Sequence, residues 1–313
     1  MKSRVLSMLF ALLLVVGIWP VGLGSVRAQS DEIDTEALIS VTLPAGSLPS
    51  APAFLRLVRI TLDPGATSVA HTHPGPELGR IESGVISVTV NGPASVKQRS
   101  SKPKDPFEAI ESGKATTLDR GDQVLYPAGT EIEFTNTDED PAEVLAIVVL
   151  PASEGHPDLI TYTEATPTDA SFKGVTSEVL GDAILTTIPG KDATITLDRI
   201  QLQAGQSLPG SGNPVLFSVE SGDFQFSVSG GQVQISHKRE PGPQTDVPED
   251  ENIKLRSGDA VFFPNGVRTT SRGENSAELD LLRVIVAPAA GSDEKLSQDG
   301  RGAIRFKAPA AAD

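Results

Sequence analysis

The stretch Gly65-Ala66-Thr67-Ser68-Val69-Ala70-His71-Thr72-His73-Pro74-Gly75-Pro76-Glu77, with Gly84 beyond it, holds two of the chain's four histidines. Side chains two apart on an extended strand point to the same face. His71 and His73 therefore present two imidazoles to one point. Pro74-Gly75-Pro76 bends the chain, and Glu77 arrives on the following segment. Two imidazoles and one carboxylate are a facial donor set for a divalent first-row metal: iron, manganese, nickel, copper or zinc. A closed β-barrel would supply the dry cavity around them. The competing reading is a hydrated set of polar side chains at a barrel mouth, with no metal.

Working outward, the sequence repeats itself. Leu57-Val58-Arg59-Ile60-Thr61-Leu62-Asp63-Pro64-Gly65 parallels Leu197-Asp198-Arg199-Ile200-Gln201-Leu202-Gln203-Ala204-Gly205. Ile81-Glu82-Ser83-Gly84 parallels Val219-Glu220-Ser221-Gly222. Gly121-Asp122-Gln123-Val124-Leu125-Tyr126-Pro127-Ala128-Gly129 parallels Gly258-Asp259-Ala260-Val261-Phe262-Phe263-Pro264-Asn265-Gly266, and Ala142-Glu143-Val144-Leu145 parallels Ala277-Glu278-Leu279-Asp280. Four blocks in the same order, roughly 135 to 140 residues apart, are a duplicated domain rather than a solenoid. Each copy alternates with period two, as in Ile86-Ser87-Val88-Thr89-Val90 and Phe224-Gln225-Phe226-Ser227-Val228. Asn91-Gly92 and Gly230-Gly231 then read as hairpin turns. No amphipathic helical run of useful length is present. The pattern predicts an all-β chain of two tandem barrels. Residues 29–150 form the first and 173–288 the second. Residues 151–172, with Pro151, Pro157 and Pro167, form a linker, and 289–313 a flexible tail. The polar stretch from Lys97 to Gly113 is an excursion between strands.

Residues 1–28 are read as a signal peptide. Lys2 and Arg4 precede an apolar run from Met8 to Trp19, and Val26-Arg27-Ala28 fits a small-x-small cleavage site. The run is short for a membrane span and is broken by Pro20, Gly22 and Gly24. Cleavage after Ala28 would leave a secreted, extracytoplasmic chain starting at Gln29. It would remove the single tryptophan and take the net charge from -15 to -18. A polyanion repels phosphate backbones, which argues against nucleic acid as a partner. No membrane contact is expected beyond the signal peptide. Cysteine is absent, which excludes disulfides, thiolate catalysis and zinc knuckles.

The motif around His71 resembles the first motif of the cupin superfamily: Gly65, five residues, His71-Thr72-His73, three residues, Glu77, six residues, Gly84. The family's second motif is matched by Gly121, five residues, Pro127-Ala128-Gly129 and, after two residues, Ile132, with Asn136 three residues beyond. Every position agrees except Ile132, where the family carries its fourth metal-ligating histidine. With the repeat, the chain resembles a bicupin of two jelly-roll barrels, and the resemblance covers most of the mature sequence. It implies a metal held by His71, His73 and Glu77, one donor short. It also implies pairing through sheet edges, as a homodimer or between the two barrels. The alternation puts Ile132 and Phe134 inward and Glu131 and Glu133 outward, so neither glutamate replaces the missing ligand.

The second copy has lost these donors. Pro209-Gly210-Ser211-Gly212-Asn213-Pro214-Val215 stands where ligands would be, and Thr269 takes the histidine position of the second motif, leaving at most a small polar pocket at Ser211, Asn213 and Thr269. Arg59, Arg199, Glu82 and Glu220 recur in the repeat and read as rim or surface strand positions. Three functions stay open. One is a metal-dependent oxygenase, decarboxylase or isomerase of a small oxygenated substrate, for which no general acid or base is evident. Another is a small-molecule binding module, with or without metal. The last is a structural or storage-like bicupin without ligand.

Overall fold

Alternation makes these segments strands: in β5 (Val85–Asn91) Ile86, Val88 and Val90 are buried while Ser87 and Thr89 are half-exposed. The computed structural model describes residues 33–152, 160–163, 172–204, 206, 208, 212–238, 252–272, 278–290 and 305–307. The signal peptide and its cleavage site, most of the linker with His156, Ser211, and most of the tail lie outside the described residues.

The strands before and within the first barrel are β1 (Asp34–Leu43), β2 (Ala53–Leu62), β3 (His71–Thr72), β4 (Glu77–Ser83), β5, β6 (Ser95–Lys97), β7 (Glu108–Ala109), β8 (Ala115–Asp119), β9 (Gln123–Tyr126), β10 (Glu131–Asn136) and β11 (Ala142–Pro151). The linker segment contributes β12 (Thr161–Tyr162), and β13 (Val175–Leu185) follows. The second half holds β14 (Ala193–Leu202), β15 (Val215–Ser221), β16 (Asp223–Gly230), β17 (Gln234–Ser236), β18 (Asn252–Arg256), β19 (Ala260–Phe263), β20 (Arg268–Arg272) and β21 (Leu279–Pro288). Residues 305–307, in the segment expected to be a flexible tail, form β22, parallel to β20.

The duplication is visible in the sheets. One large sheet runs β13-β2-β11-β4-β9-β6-β7, the other β1-β14-β21-β15-β19-β17. Apart from the added β7, they match position by position. The smaller sheets, β12-β3-β10-β5-β8 and β18-β16-β20-β22, close the two barrels. Among the described residues all pairings except β20 with β22 are antiparallel, so each half is a jelly roll. The turns at Asn91-Gly92 and Gly230-Gly231 are not hairpins, contrary to the sequence reading. Each carries the chain from a small sheet to a large one, from β5 to β6 and from β16 to β17. The wall opposite each strand, and not the next strand in sequence, completes its burial.

Two strands are exchanged. β1 precedes the first barrel in sequence but pairs with β14 of the second, with Val41 opposite Ile195. β13 lies across the linker but pairs with β2 of the first, with Ala183 opposite Leu55. Both carry a register shift at equivalent places, between Ala37 and Ile39 and between Val179 and Gly181. At the second, a Cβ on Gly181 would lie 2.8 Å from that of Ala260, so only glycine lets β13 approach the other large sheet. The exchange joins both halves within the unit Glu32–Asp313.

The large sheets pack back to back over a shared core including Leu38, Leu57, Ile147, Leu180, Leu197 and Val284. Covered on both faces, β11 is buried without a break from Val144 to Leu150, and its sequence is a continuous apolar run. The interior of the first barrel is lined by Ile86, Val88, Leu118, Tyr126, Ile132 and Phe134, and that of the second by valine, leucine and isoleucine around Phe217, Phe224, Phe226 and Phe263.

The recurring charges, read as rim positions, instead join the barrels. Arg59 Nη2 lies 2.5 Å from Glu220 Oε1, and its counterpart Arg199 Nη2 lies 2.5 Å from Glu82 Oε2. Arg199 also meets Glu220 at 3.1 Å, and Arg80 meets Glu82 at 3.0 Å. Burial disfavours the Arg199 charge, but Glu82 and then Glu220 outweigh it and raise its pKa. Arg199→Ala strips both half-buried carboxylates of a shared partner. The expected loss is about 1–3 kcal/mol in denaturant unfolding, with a smaller loss for Arg59→Ala.

Candidate metal centre

The histidine strand alternates as predicted: His71 and His73 are buried while Thr72 between them is half-exposed. Glu77 opens β4, also buried, opposite Tyr126 of β9. The bend between them is tight. A Cβ on Gly75 would come 1.8 Å from the Val149 carbonyl oxygen, so the bend packs on β11 only as glycine. Backbone bonds hold both ends. Val149 N donates to Pro76 O at 3.1 Å, and Gly129 N donates to His73 O at 2.9 Å.

The three side chains form one buried cluster. The imidazole centroids of His71 and His73 are 5.1 Å apart with planes at 87°. His73 Nε2 lies 3.0 Å from Glu77 Oε2, yet Oε2 has no aligned hydrogen-bond donor among the described residues. His71 Nδ1 lies 2.5 Å from Val69 O. A carbonyl can only accept, so Nδ1 carries the proton and Nε2 keeps its lone pair. Burial lowers the His71 pKa against opposition from that bond and from Glu77. Burial works to raise the Glu77 pKa, but His73 and then His71 outweigh it and hold the carboxyl ionised. Burial, reinforced by the Glu77 charge, pushes the Tyr126 phenol up and keeps it protonated.

Two ligands at right angles on an ion with bonds of ~2.1 Å stand ~3.0 Å apart, the spacing found between His73 and Glu77. Glu77 Oε2, beside His73, and the Nε2 lone pair of His71 also suit a cation. As the side chains stand, however, no three His, Asp or Glu groups among the described residues are arranged to hold an ion. The donor chemistry fits; the third donor does not close the set. Ile132, at the position of the missing fourth ligand, is 1% exposed and lies opposite His71 in the register of β3 and β10. Glu131 and Glu133 point away from the interior.

The second barrel shows why it has no equivalent. Val215 faces Phe263 as Glu77 faces Tyr126, and Phe217 takes the position of Gly79. Phe217, Phe224, Phe226 and Phe263 form a chain of ring contacts at 5.1–6.1 Å, which fills the interior. The pocket expected at Ser211, Asn213 and Thr269 falls largely outside the described side chains. His237 is accounted for otherwise: its Nδ1 lies 3.0 Å from Asp259 Oδ1, while Oδ2 accepts from Arg256 N at 2.9 Å. Asp122 repeats this in the first barrel, accepting from Asp119 N and Arg99 N. The recurring Gly-Asp pair is a turn staple.

One contributor was missed in the sequence. Tyr162, on β12, pairs with His71 and lies 6.5 Å from its ring. A lone tyrosine in a polar, proline-bearing connector carries no signal of this.

Equivalent six-strand orders and paired small sheets give the chain two tandem jelly-roll barrels, the fold that the resemblance of the motif across β3, β4, β9 and β10 implies. Among solved structures, it is similar to the oxalate decarboxylase of Bacillus subtilis, described with Mn(II) centres, at 13% identity and a TM-score of 0.42, over 80% of this chain and 75% of that one. It is also similar to procruciferin, an 11S globulin of Brassica napus, at 11% identity and a TM-score of 0.40, over 83% of this chain and 86% of that one. At these values neither likeness bears on the activity of this chain. No family model and no curated protein matches it.

Proposed function

We propose that the first barrel is an extracytoplasmic small-molecule site organised by one divalent transition metal, with the filled second barrel as its structural partner. The observation that carries this reading is the buried Glu77 carboxylate, ionised, with Oε2 3.0 Å from His73 Nε2 and the His71 imidazole beside the pair. An oxygen so placed is costly unless a cation satisfies it. His73 and Glu77 would hold the ion with His71 as third donor. When bound, it would supply a Lewis-acid point for an oxygen atom of a small ligand. The chain's own residues do the rest. Val69 O fixes the His71 tautomer, and Ile132, Phe134 and Tyr126 surround the donors with apolar wall. The ligand set is one short at Ile132, which favours binding over an oxygenase, decarboxylase or isomerase reaction.

The test is elemental analysis of the exported protein beside His71→Ala and Glu77→Gln, with its intact mass reporting cleavage after Ala28. Stoichiometric metal in the wild type, lost in both variants, is the expected result. A wild type that stays metal-free after loading with Fe(II), Mn(II) and Zn(II) would overturn it. That outcome favours a structural bicupin in which His73 and Glu77 are a plain ion pair, a reading supported by the unclosed donor set and by Ile132. Dioxygen consumption or carbon dioxide release dependent on added Fe(II) or Mn(II) would establish an enzyme instead.

A further inference from the structure

We propose that Tyr162, carried by the segment between the two barrels, is the positioning residue that holds the His71 imidazole and seals the outer wall of the site. The proposal deepens the reading of the first barrel given above and rests on it for its functional meaning; its geometry stands alone.

β3 is two residues long and cannot hold itself. On one side its register pair with β10 joins His71 to Ile132, and Ser68 N, three residues earlier, donates to Phe134 O at 2.8 Å. On the other side the connector makes the edge. Thr161 pairs with Thr72 and Tyr162 with His71. Thr163 then donates to Ala70 O from its backbone N at 3.2 Å and from Oγ1 at 3.3 Å.

The rings complete the clamp. His71 stands edge-on between Phe134, at 6.2 Å and 78°, and Tyr162, at 6.5 Å and 62°. One wall comes from the barrel, the other from the connector. Tyr162 is braced in turn by Phe172, at 5.8 Å and 68°. Such edge-to-face contacts fix ring orientation. Only three large apolar side chains are exposed among the described residues, and two of them, Ile160 and Phe172, flank Tyr162. His71 is nevertheless 6% exposed, although its strand is a two-residue segment near the sheet edge. Tyr162 lies over the side that β10 leaves open.

The test uses the full mature chain stripped with EDTA, as wild type, Tyr162→Ala and Tyr162→Phe. Each is treated with diethyl pyrocarbonate, and modification is read by peptide mass spectrometry. His237, whose side chain is 39% exposed, is the internal standard. Relative to His237, His71 in Tyr162→Ala is expected to react about tenfold faster or more, as a lost local protection allows. Tyr162→Phe, which keeps the ring, is expected to react at the wild-type rate. A general packing defect would speed His237 too or lower the melting temperature, and phenylalanine would not selectively cure it. Unchanged His71 protection in Tyr162→Ala, or a Tyr162→Phe as reactive as the alanine variant, overturns the proposal. Elemental analysis of each preparation before the EDTA treatment separates the two readings. A metal-free wild type removes the metal, while His71 protection still decides the role of Tyr162.

Discussion

Ile132→His is expected to destabilise the metal-free protein by about 1–3 kcal/mol and to regain that loss when Zn(II) or Mn(II) is added. Ile132 is 1% exposed and lies opposite His71 across β3 and β10. An imidazole placed there exchanges a fitted apolar group for a buried polar one with no partner in view. Without metal, the desolvation cost stands uncompensated. With metal, the new nitrogen adds a donor beside His71, and affinity should rise by at least about tenfold, or ~1.4 kcal/mol. Thermal melts with and without each metal give the stability, and competition with a chelator gives the affinity. A loss of stability that no divalent metal rescues would mean that the barrel has no cation position next to His71. A second variant, Ile132→Asn, controls for polarity: it should lose similar stability without the metal rescue.

Leu197→Ala should cost about 2–5 kcal/mol and lower the stability of both barrels in one transition. Leu197 is wholly buried, as is its repeat counterpart Leu57, and both sit in the core between the large sheets. A void there removes contacts from both halves at once, and collapse around it is limited because β1 and β13 tie each sheet to the other barrel. Calorimetry should show a single endotherm, with van't Hoff and calorimetric enthalpies equal, in wild type and variant alike. Two endotherms, only one of them moved by the substitution, would show that the barrels unfold separately despite the exchange. Leu57→Ala should behave the same way.

Much of the architecture was legible because it is written in period two. The buried faces of β5, β10 and β16 follow directly from Ile86-Val88-Val90, Ile132-Phe134 and Phe224-Phe226-Val228. Alternation needs no knowledge of the partner strand. The clustering of His71, His73 and Glu77 was legible for the same reason, with a proline-glycine bend to turn the chain. The strand exchange was not, because β1 and β13 look like ordinary strands of their own halves and pairing partners leave no local mark. The Arg–Glu pairs were misread for a related reason: Arg59 and Glu220 are far apart in sequence and meet only because the two halves pack as near-copies.

The chain's letters by themselves determined the strands, the doubling, and the grouping of His71, His73 and Glu77, since all of these depend on near neighbours and on spacing. Tertiary structure alone decided that His73 and Glu77 lie within contact while the His71 ring stands 5.1 Å from that of His73, that phenylalanine rings meet inside the second barrel, and that a connector tyrosine pairs with His71. Those outcomes rest on where distant segments pack, and distance along a chain does not reveal distance in space.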